Sequence, residues 1–490
     1  MSKKLPHIVI FNPDQWRGDV MGHLGNQAAV TPNLDRLVET EAVSFERAFC
    51  QNPVCTPSRC SFMSGWYPHI KGNRTIFHMM QPEDPVLLRT LKKLGYYVWW
   101  GGKNDLIPND ADFSEYCDEK YVPEPPKVKA TYNMDWRGEL DSPGYYSFFG
   151  GKVEDNHGLK GFAENDWGYI HGAIDRIKNA PEDKPLCIYL PILYPHPPYA
   201  VEEPWFSMID RDQLPERVKP PKDFSGKASM LKGIAEIQNL ESWPEENWTE
   251  LRATYYGMCA RVDHQFGLIM EALKEAGIYD DTAIFFFSDH GDYTGDFNLA
   301  EKNQNTFEDC LTNIPFIIKP PNNVPIKPGV RDALVELVDF SATVEDLLGI
   351  VPEHTHFGKS LLPIIAGEVD EHRDAVFSEG GRLHGETHCM ELEAIDQQQP
   401  GALYYPRLKL QRSKGPEHTK AIMCRTKDYK YVQRLYEEDE LYDLNADPHE
   451  VNNRINDPEL ADILLKMKDR LLTFHLATSD VVRHKPDVRF

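Results

Sequence analysis

Thr282-Ala283-Ile284-Phe285-Phe286-Phe287-Ser288-Asp289-His290-Gly291-Asp292 is the most strongly strand-like run in the chain, and it ends in an abrupt change to polar residues. A short apolar run of this kind reads as a buried strand. The acid and imidazole that follow then lie at its carboxyl end, where open α/β sheets bind ligands. An acid directly after Ile284-Phe285-Phe286-Phe287 also needs a partner, because an unpaired buried carboxylate is costly. The same grammar recurs outward from this run. His7–Phe11 delivers Asn12-Pro13-Asp14-Gln15, and Tyr96–Trp100 delivers Gly101-Gly102-Lys103-Asn104-Asp105. Leu186–Leu190 leads into Tyr194-Pro195-His196-Pro197-Pro198-Tyr199, and Val43–Phe49 and Ile314–Ile318 read as further strands. Helical segments alternate with them: one from Thr31 as cap with Pro32 first, Val86–Leu94 stopped by Gly95, Trp167–Ile177, a long one from about Thr249 to Ala276, and Asp339–Leu348. This alternation predicts an α/β fold with a large, mostly parallel sheet sandwiched by helices.

The length of 490 residues favours two domains. We place a catalytic α/β domain at 1–369 and a smaller C-terminal α+β subdomain at 370–490, with a hairpin Ala421–Arg434 around Lys427-Asp428 and a terminal helix Pro458–Phe474. Residues from about 107 to 160, rich in Pro, Tyr and Gly, read as an irregular insertion near the pocket. A net charge of −24 argues against nucleic acid as a partner, and no run has the length and apolarity of a membrane span. An anionic substrate would therefore need a locally basic pocket. Nine scattered cysteines, with no Cys-x-x-Cys pair, argue against a disulfide framework or a zinc site. The start, Met1-Ser2-Lys3-Lys4-Leu5-Pro6, shows no apolar signal region, so the expected location is cytoplasmic. Oligomeric state is not legible.

Cys55-Thr56-Pro57-Ser58-Arg59 carries the chemistry. Pro57 and Ser58 suit a first helical turn, which sets Cys55 at or just before a helix N-terminus. There the helix dipole and Arg59, one turn along, favour negative charge and a lowered thiol pKa. Asp14, Asp289 and His290 all follow predicted strands, so the fold can bring them together. Two carboxylates, an imidazole and the amide oxygen of Gln15 suit a divalent ion such as Ca²⁺, Mg²⁺ or Mn²⁺.

The pentapeptide resembles the signature of the type I, formylglycine-dependent sulfatases of the alkaline-phosphatase-like superfamily. Ser288-Asp289-His290-Gly291 is similar to the family's late-strand motif, Gly102-Lys103 to its Gly-Lys element, and Pro195-His196-Pro197-Pro198 to its Pro-His-x-Pro. Val262-Asp263-His264-Gln265-Phe266-Gly267 and Glu440-Leu441-Tyr442-Asp443-Leu444-Asn445-Ala446-Asp447-Pro448-His449-Glu450 extend the likeness, so the matches run from residue 7 to about 455. Two departures stand out. Asp14-Gln15 replaces an acidic pair, a combination that looks like the phosphonate monoester hydrolase branch and some carbohydrate sulfatases. Asp105 stands where the family has a histidine thought to assist proton removal.

The resemblance implies an alkaline-phosphatase-like fold and a sulfuric ester hydrolase that releases inorganic sulfate. Cys55 would be converted to formylglycine by a formylglycine-generating enzyme and would face one divalent metal, Ca²⁺ foremost, held by Asp14, Gln15, Asp289 and His290. Lys103, Lys302 and Arg59 would spread the charge of the transferred group, His196 would protonate the leaving alcohol, and Asp105 would take the histidine's place. The alternatives are a phosphonate monoester or phosphodiester hydrolase on the same site, and a non-catalytic binder of sulfated glycans. A small sulfated saccharide is the expected substrate, since Trp66, Tyr67, Trp99, Trp100, Tyr145 and Tyr146 lie near the predicted pocket and such rings pack on sugars.

Overall fold

Side chains alternate across a strand, so a strand covered on both faces must be apolar at nearly every position. The central strands meet that demand. The computed structural model describes residues 5–124, 137–154, 159–482, 484 and 487–489. Through the first part of the chain run β1 (His7–Asp14), β2 (Val43–Phe49), β3 (Tyr97–Gly101), β4 (Glu119–Tyr121), β5 (Phe149–Lys152), β6 (Leu186–Pro195), β7 (Tyr199–Val201), β8 (Thr282–Phe287), β9 (Phe316–Lys319) and β10 (Gly329–Glu336). Eight of these form one sheet in the order β10-β2-β9-β8-β1-β6-β3-β4, while β5 and β7 make a separate two-stranded ribbon. All pairings in the large sheet are parallel except those of β9 with β2 and β8.

Alternate residues of one strand feed two cores. Phe286 turns to one face, where the helix Glu245–Glu275 brings Phe266 to a ring-centroid distance of 5.4 Å. Phe285 and Phe287 turn to the other, meeting Phe340 at 5.1 Å and Phe62 at 5.0 Å. Burying each such ring stabilises by about 1.5–3 kcal/mol, which is why the β8 register cannot slip. Among the described residues no helix is long and apolar enough to cross a membrane.

The C-terminal part builds a second, antiparallel sheet from β11 (Val376–Gly380), β12 (Ala421–Arg425), β13 (Tyr429–Arg434) and β14 (Glu440–Asp443), closed by the helix Ala461–Thr478. The expected hairpin and terminal helix are both present.

Several expectations need correction. Thr31 precedes the helix Pro32–Thr40, but its hydroxyl donates to the Asp35 carboxylate at 2.9 Å and accepts the Gly22 amide N–H at 2.9 Å rather than capping an amide of its own helix. The stretch read as wholly irregular contains β4, an edge strand of the large sheet, and β5; its residues 125–136 and 155–158 lie outside the described residues. The strand β10 was not anticipated, because its first half, Gly329-Val330-Arg331-Asp332, lies on a sheet edge and carries polar residues. Trp66, Tyr67, Trp99 and Trp100 are core residues packed in three separate apolar clusters, so they cannot line a sugar site. Tyr145 and Tyr146 instead bind the backbone at Gly401 and Pro400.

Candidate active site

The site forms where β8, β1, β6 and β3, neighbours in that order, end. Asp14 is the last residue of β1, and the register of β1 with β6 shifts between Asn12 and Asp14. Such irregularities re-aim side chains at strand ends. Gln15 follows with φ 73°, and its amide N–H donates to Asp289 Oδ1 at 3.1 Å, tying the ends of β1 and β8 together. Two glycines permit the close approaches. A Cβ on Gly102 (φ 123°) would meet the Pro191 carbonyl oxygen at 2.1 Å, and one on Gly291 would meet the Cys310 carbonyl oxygen at 2.0 Å.

Cys55 opens the helix Cys55–Ser64 after an extended Val54, as the Pro57-Ser58 pattern predicts. All ten residues of that helix are buried, and the Ser58 hydroxyl donates to the Asp289 carbonyl at 2.6 Å, which pins the helix start against the β8 loop. The Cys55 sulfur lies 3.3 Å from His290 Nε2, 3.3 Å from Lys103 Nζ and 3.5 Å from Asp14 Oδ1. Arg59, fully buried, donates to Asp289 at 3.0 Å and to Asp14 at 3.1 Å. Lys103 reaches Asp14 at 2.6 Å and Asp105 at 2.7 Å, and Lys302 donates to Gln15 Oε1 at 2.6 Å and Glu301 at 2.8 Å. Lys103, Asp105 and His196 are the partly exposed members, so the site opens on their side.

The electrostatics correct one expectation. Burial, reinforced by Asp14 and only partly countered by Lys103 and Lys302, pushes the Cys55 thiol up to about 12. The helix start alone would lower it, but desolvation of a thiolate beside two carboxylates outweighs the dipole. Asp14 goes the other way. Burial opposes its ionisation, yet Lys103, His196, Arg59 and His290 together hold its carboxyl well below the usual range. Burial, then the Lys302 and Lys103 charges, hold His196 well below an ordinary imidazole. His290 is also lowered by burial and is neutral at pH 7, with Nδ1 facing the Gly291 carbonyl at 2.9 Å and Nε2 toward the centre.

Asp14, Cys55, Asp289 and His290 each offer a ligand atom, and these atoms lie within 4.8 Å of one another. Two carboxylates and a neutral imidazole, all buried, are a donor set that fits a divalent cation. Gln15 is at the rim of this group: its Nε2 donates to Asp292, which leaves Oε1 on the inner side with Lys302. Of the residues singled out from the sequence, Asp14, Gln15, Cys55, Arg59, Lys103, Asp105, Asp289, His290 and Lys302 are joined by direct bonds or ion pairs, whereas His196 lies within electrostatic reach of Asp14, Lys103 and Lys302 but bonds to none of them. The sequence did not single out Asp292, Tyr199 or Glu301. Tyr199 donates to Asp292 at 2.8 Å and accepts the Glu301 amide N–H, so the three form the frame behind Gln15 and Lys302. The closing acid of Ser288-Asp289-His290-Gly291-Asp292 was the one available signal for that frame.

Ligand groups at the carboxyl ends of β1 and β8 and a thiol embedded at a helix start thus form one buried polar constellation. The family profile named Sulfatase matches residues 6–350, and that of the N-sulphoglucosamine sulphohydrolase C-terminal region matches 382–476. The chain belongs to the sulfatase family. It is 26% identical to an arylsulfatase of Clostridium perfringens over 93% of its own length and 91% of the relative's. In structure it resembles the phosphonate monoester hydrolase of Agrobacterium radiobacter, with a TM-score of 0.72, 23% identity and coverage of 98% of this chain and 100% of the other. A protein solved in complex with its substrate, D-glucosamine-2-N,6-O-disulfate, aligns with a TM-score of 0.70 at 19% identity, covering 99% of this chain and 100% of that one.

Proposed function

We propose that this sulfatase removes sulfate from a sulfated saccharide, using formylglycine made from Cys55 and a divalent metal held by Asp14, Asp289 and His290 with the Gln15 amide oxygen. The observation that carries this reading is the position of the Cys55 sulfur, 3.3 Å from both Lys103 Nζ and His290 Nε2 at a pinned helix start. A thiol pushed up to about 12 is a poor nucleophile at neutral pH, which favours a modified side chain over a working thiolate. When formed by a formylglycine-generating enzyme, formylglycine supplies an aldehyde hydrate with one hydroxyl to attack sulfur and a second whose deprotonation expels sulfate. When bound, the metal supplies charge that makes such an oxygen nucleophilic near neutral pH; Ca²⁺ is the first choice, with Mg²⁺ or Mn²⁺ as the others.

The chain's own groups do the rest. Lys103 and Lys302, both held protonated by the acids around them, face the negative charge that spreads over the sulfo oxygens. Arg59 fixes Asp14 and Asp289 in place through its two carboxylate bonds. His196 stands within the same field, and a bound anion would raise its proton affinity so that it can protonate the leaving alcohol. Asp105, paired with Lys103 at the partly exposed edge, would accept a proton from the cysteine-derived side chain.

The Asp14-Gln15 and Asp289-His290 pairs, with the likeness to a phosphonate monoester hydrolase, keep a second reading in view. Parallel turnover of p-nitrophenyl sulfate and p-nitrophenyl phenylphosphonate decides between them. We expect the higher kcat/KM on the sulfate. A higher value on the phosphonate would replace the reading, and turnover of neither by fully oxidised, metal-loaded protein would leave a sulfated-glycan binder.

A further inference from the structure

Arg407 is more than nine-tenths buried, and no hydrogen bond or ion pair joins its guanidinium to a protein group among the described residues. Its Nε has no partner, and the guanidinium lies over the Tyr404 ring, 5.1 Å from the centroid. Unpaired buried cations are expensive, and guanidinium presents a planar fork suited to carboxylates and sulfo groups. It shares a narrow cleft with Lys302, Glu301, Gln238, Phe148 and Tyr404, and it lies within electrostatic reach of Cys55, Glu301 and Glu391. The acids keep it charged without bonding it. Glu391 Oε1 accepts from the Ile76 amide at 3.0 Å and from Gln304 Nε2 at 2.7 Å while its Oε2 is buried without a partner, and Glu301 Oε1 accepts from Lys302.

The scaffold under Arg407 is firm. Its helix, Tyr405–Gln411, packs on the helix Ser229–Gln238, where a Cβ on Gly233 would come within 2.9 Å of Leu410. The preceding loop is clamped by Arg137, which donates to the Gly401 carbonyl at 2.6 Å, and by Tyr146 on the Pro400 carbonyl. Phe148 and Tyr404, with ring centroids 5.4 Å apart, wall the cleft between Lys302 and Arg407. The reacting sulfo group already has Lys103 and Lys302 beside Cys55, so Arg407 is a cation to spare.

We propose that Arg407 is a specificity-determining residue whose guanidinium receives a second anionic group, a carboxylate or a further sulfo group, on the same substrate as the ester attacked at Cys55. The inference rests on the sulfatase reading above and narrows it to dianionic saccharides.

The test uses oxidised, metal-loaded full-length protein with p-nitrophenyl sulfate as reporter. Galactose 6-sulfate, D-glucosamine-2-N,6-O-disulfate and glucuronic acid 2-sulfate serve as competitors in wild type, Arg407→Ala and Arg407→Lys. In the wild type both or one of the dianions should compete at least ~10-fold better than the monosulfate, as a charge-assisted pair implies. Arg407→Ala should erase that gap, and Arg407→Lys should keep part of it. The stronger dianion identifies the second group as sulfo or carboxylate. Absence of a dianion preference in the wild type overturns the proposal. So does a loss in Arg407→Ala that is equal for the monosulfate and the dianions, which would mark a purely structural residue. If the reporter is not turned over at all, the sulfatase reading fails instead, and calorimetric binding of the same three sugars still decides the role of Arg407.

Discussion

Two buried ionic clusters, alike in charge density, differ in what they leave unpaired. The first surrounds Cys55. The second joins the two sheets: Lys227 pairs with Glu308 at 2.8 Å, Lys430 with Asp309 at 2.6 Å and with Glu450, Arg425 with Asp309 at 2.9 Å, and Arg434 with Glu440. Neutral donors and acceptors complete it, with Tyr293 donating to Glu308 at 2.8 Å and Lys430 to the Phe307 carbonyl at 2.7 Å. Burial works against ionisation of Glu308, but Lys227 and Tyr293 hold its carboxyl down at about 2. Each cation there faces an acid, and the cluster ties β12–β14 to the segment that carries Glu308 and Asp309. Around Cys55 the acids and cations crowd a thiol that can answer few of them, and Lys103 reaches the open edge. Closed pairing marks a cross-link, whereas surplus charge around one weakly bonding atom marks a place where something else must bind.

The comparison breaks if the two clusters respond alike to mutation. Cys55→Ala should lower sulfate-ester turnover by at least ~10⁴-fold while leaving the unfolding midpoint close to wild type, because alanine carries no Cβ heteroatom from which the aldehyde can be made and the thiol makes only weak bonds. Lys430→Met should do the reverse. Removing one partner of a buried pair costs about 3–5 kcal/mol, so denaturant unfolding should shift strongly while turnover per folded molecule changes little. Loss of turnover in Lys430→Met at full stability would contradict the division.

A smaller effect sharpens it at the border of the two regions. His418 is buried, and burial followed by Arg382, Arg407 and Arg74 depresses its pKa to about 3. Above an unfolded-state pKa of about 6.5 the imidazole is neutral in both states and contributes nothing to the pH dependence. Below it the unfolded chain takes up a proton that the folded chain refuses, so stability falls as pH drops from about 6.5 toward 3. By pH 5 wild type should have lost about 2 kcal/mol more than His418→Gln, relative to each protein at pH 8. Equal acid sensitivity of the two, measured by urea unfolding at both pH values, would contradict the assignment.

Much of the fold was legible because β1, β6 and β8 are apolar on both faces and end in abrupt polar turns. The same turns displayed Asp14, Lys103, His196, Asp289 and His290, so the site could be read wherever strand ends coincide with reactive side chains. What stayed hidden depends on contacts between distant segments. The antiparallel sense of β9 is set by its neighbours β2 and β8, and the raised thiol pKa follows from burial of the helix start, reinforced by Asp14 at the end of β1. Trp66, Tyr67, Trp99 and Trp100 looked like a sugar platform because aromatic density does not say which side of a sheet a ring takes. Arg407 had no local signal, since its lack of a partner is a property of the folded cleft.

The most direct test of the central claim is the mass of the peptide bearing Cys55, taken from protein co-produced with a formylglycine-generating enzyme and compared with its specific activity on p-nitrophenyl sulfate. The account predicts an aldehyde in place of the thiol, with activity proportional to the aldehyde fraction across preparations. Full activity in protein whose Cys55 carries only a thiol would contradict it.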